Sequence, residues 1–356
     1  MLEMHTAIQL GEDCELTILM PPEEEERWTM SVINGNGLQV IYKTLREASI
    51  TTARASVEAD RSNILRLVEG QGILTFDDQV KKHLQGWFLH AASAHVKELP
   101  LKMLEACAQV GKLLSKFSAL EEATSVLNLG MTAKGALLDW QSASSFSSAS
   151  AFADVVGDLW HEKAWLQHKR GQRDDAVDLY SKGLEELDHL APEEPAPASR
   201  SRLYRGRARA MIGDEADELF VSEAPPPASL EQACQDYQAS LEILQKKGLE
   251  ETEDGAKLYN NLGLVHSLRS DFATSARMFE SAGRIRELTA TLQTPMNARR
   301  LYNLGSMRLK QGRTTGEEMH WEHAEKHFKE SLTILQECGL TQPFADLCRQ
   351  KLEWMA

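Results

Sequence analysis

No stretch of the chain keeps about 18 apolar residues together, so no membrane-crossing helix is expected. Met1-Leu2-Glu3-Met4-His5 offers no basic segment followed by an apolar one, so no secretory signal is expected either. Aromatic residues are scarce at 6%, which excludes a large aromatic-rich β core. Cysteine is rarer still. The five (Cys14, Cys107, Cys234, Cys338 and Cys348) are odd in number and scattered, with neither zinc spacing nor a disulfide framework, so a reducing compartment, the cytoplasm, is expected. Positive charge is in deficit: 39 Lys and Arg stand against 53 Asp and Glu, a net charge of −14. That balance argues against a nucleic-acid binder, which needs a basic surface to neutralise phosphates, and against resting on an anionic membrane. Catalytic motifs are missing as well. There is no P-loop, nucleophile elbow or HExxH, and Asn34-Gly35-Asn36-Gly37 lacks the third glycine and the strand–helix setting of a dinucleotide loop. No enzyme, no cofactor and no metal site are expected.

What remains is ordinary for a globular protein, 42% apolar and 26% charged in 356 residues. Residues 1–98 form an N-terminal region. In it Glu15–Met20 suits a short strand, and two helices follow at about 49–68 and from Thr75, the second with the core stripe Phe76, Val80, Leu84, Trp87, Phe88 and Ala91. From about residue 100 the ordered sequence reads as helix. Its interruptions are polar or Pro-rich: Gln141 to Ser148, Ala191 to Pro197, and an acidic loop from Asp214 to Ser229 that holds Pro225-Pro226-Pro227.

A single phrase nearly repeats within this helical region. Tyr259-Asn260-Asn261-Leu262-Gly263 returns as Leu301-Tyr302-Asn303-Leu304-Gly305, with Gly263 and Gly305 42 residues apart. A fixed interval of this size marks stacked units that bury their apolar faces only against neighbours. Small residues sit where two helices cross closely, and larger ones fill the gaps beside them. Leu262, Gly263, Phe272, Phe279 and Ala282 make one unit; Leu304, Gly305, Gly312, Ala324, Phe328 and Leu332 make another, with a short insertion between Thr314 and Trp321. A third uses Trp160, Ala164, Gly171, Ala176, Tyr180 and Leu184, and a fourth joins Gly206, Ala208 and Gly213 to Ala233, Tyr237 and Leu241. Gly111, Leu120, Ala123 and Leu127 are the faintest.

This pattern resembles the tetratricopeptide repeat family over about residues 100–340, in the longer form of the kinesin-light-chain type. The resemblance implies an all-α fold, an α-solenoid of about five helix-turn-helix repeats (about 104–140, 157–190, 199–247, 256–292 and 298–336) with a helical N-terminal region and a capping helix within 342–356. The longer repeat implies a second helix running from about Phe272 to Leu292.

A stacked array of this kind lines a groove with its first helices. Lys257, Asn260, Asn261 and Leu264, then Arg299, Tyr302, Asn303 and Ser306, are therefore expected in the groove. By resemblance Asn261 and Asn303 clamp a peptide backbone, since an amide both donates and accepts, while Lys257 and Arg299 supply charge. The other reading of the two asparagines is a bridge between neighbouring helices. His161, Glu162 and Trp165 also fall toward the groove, Trp165 as a hydrophobic anchor. The helix with Arg200, Arg202, Arg205, Arg207 and Arg209 is either ion-paired or a patch for acidic or phosphorylated peptides, and an Arg205–Asp236 pair is expected. His320, His323 and His327 share a helical stripe, more simply solvated than metal-bound. The expected partner is a protein or peptide, acidic by charge complementarity, bound by a non-catalytic scaffold. The competing reading gives residues 1–98 an enzymatic or regulatory activity that the repeats only target.

Overall fold

The computed structural model describes residues 103–116, 119–136, 149–191, 196–213, 225–339 and 344–355, with the single positions 23 and 27. The strand and two helices expected within residues 1–98, and the linker at 141–148, lie outside the described residues. Among the described residues every regular element is a helix: α1 Met103–Lys116, α2 Leu120–Ala136, α3 Ala149–Lys169, α4 Arg173–Leu190, α5 Ala198–Ile212, α6 Pro227–Lys246, α7 Glu253–Leu268, α8 Phe272–Leu288, α9 Pro295–Thr315, α10 Glu318–Glu337 and α11 Phe344–Met355. They fall into two compact units that divide between Ser148 and Ala149.

In the first unit α1 pairs with α2. Ala106, Val110 and Leu114 are buried with Ala123 and Leu127, and a Cβ on Gly111 would stand 2.5 Å from Leu127. Burial pushes the Cys107 thiol up to about 12, which keeps it protonated and inert.

The second unit is a run of hairpins, α3–α4, α5–α6, α7–α8 and α9–α10, closed by α11 on α10. Within this unit each hairpin after the first also packs on the one before it. Its core is accordingly a series of local clusters. Tyr180, Leu184 and Leu203 anchor one; Ala208, Ala233, Tyr237 and Leu262 the next. Phe279 meets Leu304 and Met307, and Tyr302 and Phe328 join Ala345 and Cys348 under the last helix. Each large buried side chain contributes about 1.5–3 kcal/mol.

Small residues set the crossings. A Cβ on Gly263 would lie 2.8 Å from the Phe279 ring, and one on Gly305 3.0 Å from Phe328. Buried serines tie helices together: Ser275 Oγ donates to the Gly263 carbonyl and Ser331 Oγ to that of Ala298, both at 2.7 Å. Lys310 of α9 reaches back past α8, its Nζ donating to the carbonyls of Ser267 (2.9 Å) and Leu268 (3.0 Å) at the end of α7.

Several boundaries differ from expectation. α8 ends at Leu288, short of Leu292, because Ala290 turns to a left-handed φ of 54°. The insertion before Trp321 is absorbed as an extra turn of α9, which runs through Gly312 and ends where Gly316 adopts φ 77°. Pro227 is not loop but the first residue of α6, where a proline loses no hydrogen bond. The Arg205–Asp236 pair does not form. Gly206 faces backward, 2.4 Å from the Tyr180 ring for an added Cβ, and Ala208 is the residue that clusters with Ala233 and Tyr237. The crossing is thus two residues later than the glycine suggests, and Arg207 meets Asp236 through two bonds of 2.8 Å. That bidentate bond, before any other influence, raises the Arg207 pKa.

Candidate functional site

α7 carries the centre of the site. Thr252 is its N-cap residue, Glu253 and Asp254 fill its first turn, and the helix then presents Lys257, Asn260, Asn261 and Leu264 on one face, as spacings of three, four and seven dictate. These four line a cavity of about 370 Å³. α5 adds Arg205, Arg209 and Ile212 by the same periodicity, α3 adds His161 and Trp165, and α9 adds Met296 and Arg299. The floor comes from second helices: Tyr180 of α4, Tyr237 of α6 and Arg286 of α8. Gly206 lets α5 lie directly against Tyr180.

The lining holds five cationic side chains, Arg205, Arg209, Lys257, Arg286 and Arg299, and no carboxylate among the described residues. Carboxylates stand at its rim. Asp254 bonds Arg205 at 3.1 Å and Lys257 at 3.2 Å, and Glu253 lies 3.7 Å from Lys257. Burial pushes the Asp254 pKa up, but Arg205 and Lys257 together outweigh it and hold the carboxyl below its ordinary value. Pairs this exposed contribute about 0–1 kcal/mol each, so they can be exchanged for a ligand's charges. The Arg209 guanidinium lies 4.9 Å over the Trp165 ring, whose other neighbour is the stacked His168 ring at 5.1 Å.

Of the residues singled out in the sequence, Lys257, Asn260, Asn261, Arg299 and Trp165 meet in this cavity. Tyr302, Asn303 and Ser306 do not. Tyr302 is fully buried, with Phe344 of α11 edge-on at 5.0 Å and Phe328 at 5.5 Å. Asn303 is 1% exposed and its Nδ2 donates to Asn260 Oδ1 at 3.4 Å, a bridge between α9 and α7. The last hairpin is covered by α11, so the turn of α9 that would line a groove lines a core instead. Glu162 also turns inward: it is buried and paired with His161 at 3.2 Å, and leaves the lining. In the arginine helix Arg200 pairs with Asp188 at 2.8 Å, Arg202 with Asp158 and Arg207 with Asp236, while Arg205, paired with Asp254 at the rim, and Arg209, stacked over Trp165, line the cavity. The three histidines of α10 meet different surroundings. His320 is buried beside Glu317, His323 is exposed, and His327 pairs with Glu330 at 3.6 Å.

Sequence reasoning missed Arg286. It follows Phe279 by seven residues and Ala282 by four, so it continues the buried stripe of α8, and a charge on such a stripe is the signal that could have found it.

No family model matches the chain, and no curated protein matches it by sequence. Among solved structures it is similar to BtubC (BKLC) from P. vanneervenii, a kinesin-light-chain-like tetratricopeptide protein. The two share 18% identity and superpose with a TM-score of 0.52, covering 72% of this chain and 92% of the other. No described helix is long and apolar enough to cross a membrane. The described helices have the fold of tetratricopeptide-type repeats and resemble those of the kinesin-light-chain kind.

Proposed function

We propose that the chain is a non-catalytic interaction scaffold that takes an extended acidic segment of a partner protein in this cavity. One observation carries the proposal: five cations and, among the described residues, no carboxylate line the cavity in a chain whose net charge is −14. Charge gathered against the overall balance favours an anionic ligand and speeds its encounter. Lys257 and Arg299 would supply attraction from two successive first helices, Asn261 would satisfy the peptide backbone, and Trp165 would seat an apolar side chain. The buried, free thiols of Cys107, Cys234 and Cys348 suit a reducing compartment such as the cytoplasm.

The test is anisotropy of a labelled glutamate-rich peptide against a neutral peptide of equal length. Wild type should prefer the acidic peptide, with affinity falling as salt rises. Lys257→Glu plus Arg299→Glu should weaken that binding by about tenfold or more with the fold intact. Equal affinity for both peptides, or an unaffected double variant, would remove the cavity from the account.

A further inference from the structure

Arg286 differs from the other four cations of the cavity. It is 1% exposed, and neither its Nε nor its Nη1 has a hydrogen-bond partner among the described residues. No ion pair reaches it among the described residues; the nearest acidic influence is Glu253, which lies at the rim and leans on Lys257 at 3.7 Å. Its charged neighbour on α9, Arg300, has the same sign and keeps its own partners, the Asn297 Oδ1 at 2.8 Å and the Phe279 carbonyl at 3.3 Å. The end of α8 supplies partial negative charge, but no acceptor to those two nitrogens. Burial accordingly lowers the Arg286 pKa, although an arginine stays protonated at any working pH.

A buried guanidinium with idle donors is unstable in itself, because water has been removed and nothing replaces it. Such a group persists where a ligand completes it. We infer that Arg286 is the seat for one oxyanion of the ligand, a carboxylate or phosphoryl group that passes the rim and reaches the floor of the cavity. The inference rests on the cavity being the binding site. Both groups share the needed chemistry, oxygen acceptors bearing negative charge that charge-assisted N–H bonds can engage. Asn260 lies beside the path, its Oδ1 turned to Asn303, so its amide donors are free to add to the same oxyanion.

The test uses the full chain and Arg286→Met, which keeps length and removes charge. Thermal unfolding is followed with inorganic phosphate or with acetate added at constant ionic strength. Wild type should gain stability with at least one of the two anions, and which one it favours separates a phosphoryl from a carboxylate ligand. Arg286→Met should melt at or above the wild-type temperature without anion and show no response to either, whereas Arg286→Lys should keep some of it. A lower melting temperature for Arg286→Met would mean a structural partner and overturn the inference, as would equal anion responses in wild type and variant or none in wild type. The acidic peptide separates this from the broader proposal. If Arg286→Met binds it as wild type does while Lys257→Glu plus Arg299→Glu does not, the seat is wrong and the scaffold stands.

Discussion

The hairpins α7–α8 and α9–α10 grow from one sequence phrase and end in different surroundings. In α7 the asparagine before Leu-Gly, Asn261, lines the cavity; the equivalent Asn303 is 1% exposed. Asn260 and Tyr302 hold equivalent places, yet one lines the cavity and the other lies beneath Phe344. The Leu-Gly half behaves alike in both, with Gly263 against Phe279 and Gly305 against Phe328. Crossing residues obey the hairpin that contains them, whereas the preceding positions obey whatever element comes next. For α9 that element is a capping helix.

The largest way to break the comparison is Tyr302→Ala, which empties the core under α11 and should cost about 3–5 kcal/mol by denaturant unfolding. Asn260→Ala should cost far less and act on peptide affinity instead; similar losses from both would show the two helices to be equivalent after all. Next comes Gly255→Ala in α7, whose Cβ would fall 1.8 Å from the backbone carbonyl of Glu250. A backbone atom cannot swing aside, so about 1–3 kcal/mol of stability should go, while the matching position of α9, Asn297, already carries a side chain.

A smaller contrast lies at the starts of the second helices. Asp271 caps α8 by accepting from the Thr274 N–H at 3.1 Å, whereas Glu317 caps α10 with no such bond. Asp271→Ala should cost about 1 kcal/mol, and Glu317→Ser should return a few tenths or more, both read from melting curves. The Thr274 backbone bond holds the Asp271 carboxyl below its ordinary 3.8. A carboxylate depressed in the folded state adds stability above that ordinary value and loses it as pH falls through the folded one. The acid-limb loss should therefore shrink in Asp271→Ala. Smallest in stability is Asp254→Asn, within about 1 kcal/mol. Its effect should be on binding. Releasing Arg205 and Lys257 from their rim partner should tighten acidic-peptide binding, most visibly at low salt.

The helical repeats were legible because their determinants are local: Gly263 and Gly305 recur 42 residues apart, each followed in the next helix by the phenylalanine it packs against, Phe279 and Phe328. Register was less so. Gly206 has the look of the crossing residue of α5, but a glycine can serve either neighbour, and here it serves Tyr180 while Ala208 makes the crossing. That slip alone moves the partner of Asp236 from Arg205 to Arg207. For the cavity, first-helix periodicity reached Lys257, Asn261 and Arg299. It could not reach Arg286, which enters from a second helix and whose isolation is a property of packing in three dimensions. Nor could it show that α11 would claim Tyr302.

Lys310 gives the array a rule of unfolding order. Its ammonium closes the last two carbonyls of α7 from a helix two places further along. Should α9 open, α7 would keep the turn in which the Arg269, Ser270 and Asp271 N–H groups close it, but its last two carbonyls would lose the Lys310 ammonium and that end would loosen, although the α7–α8 hairpin itself had not been touched. Exchange of amide hydrogens near Ser267 would then report on events some forty residues away, and the cavity wall would soften before its own hairpin melts.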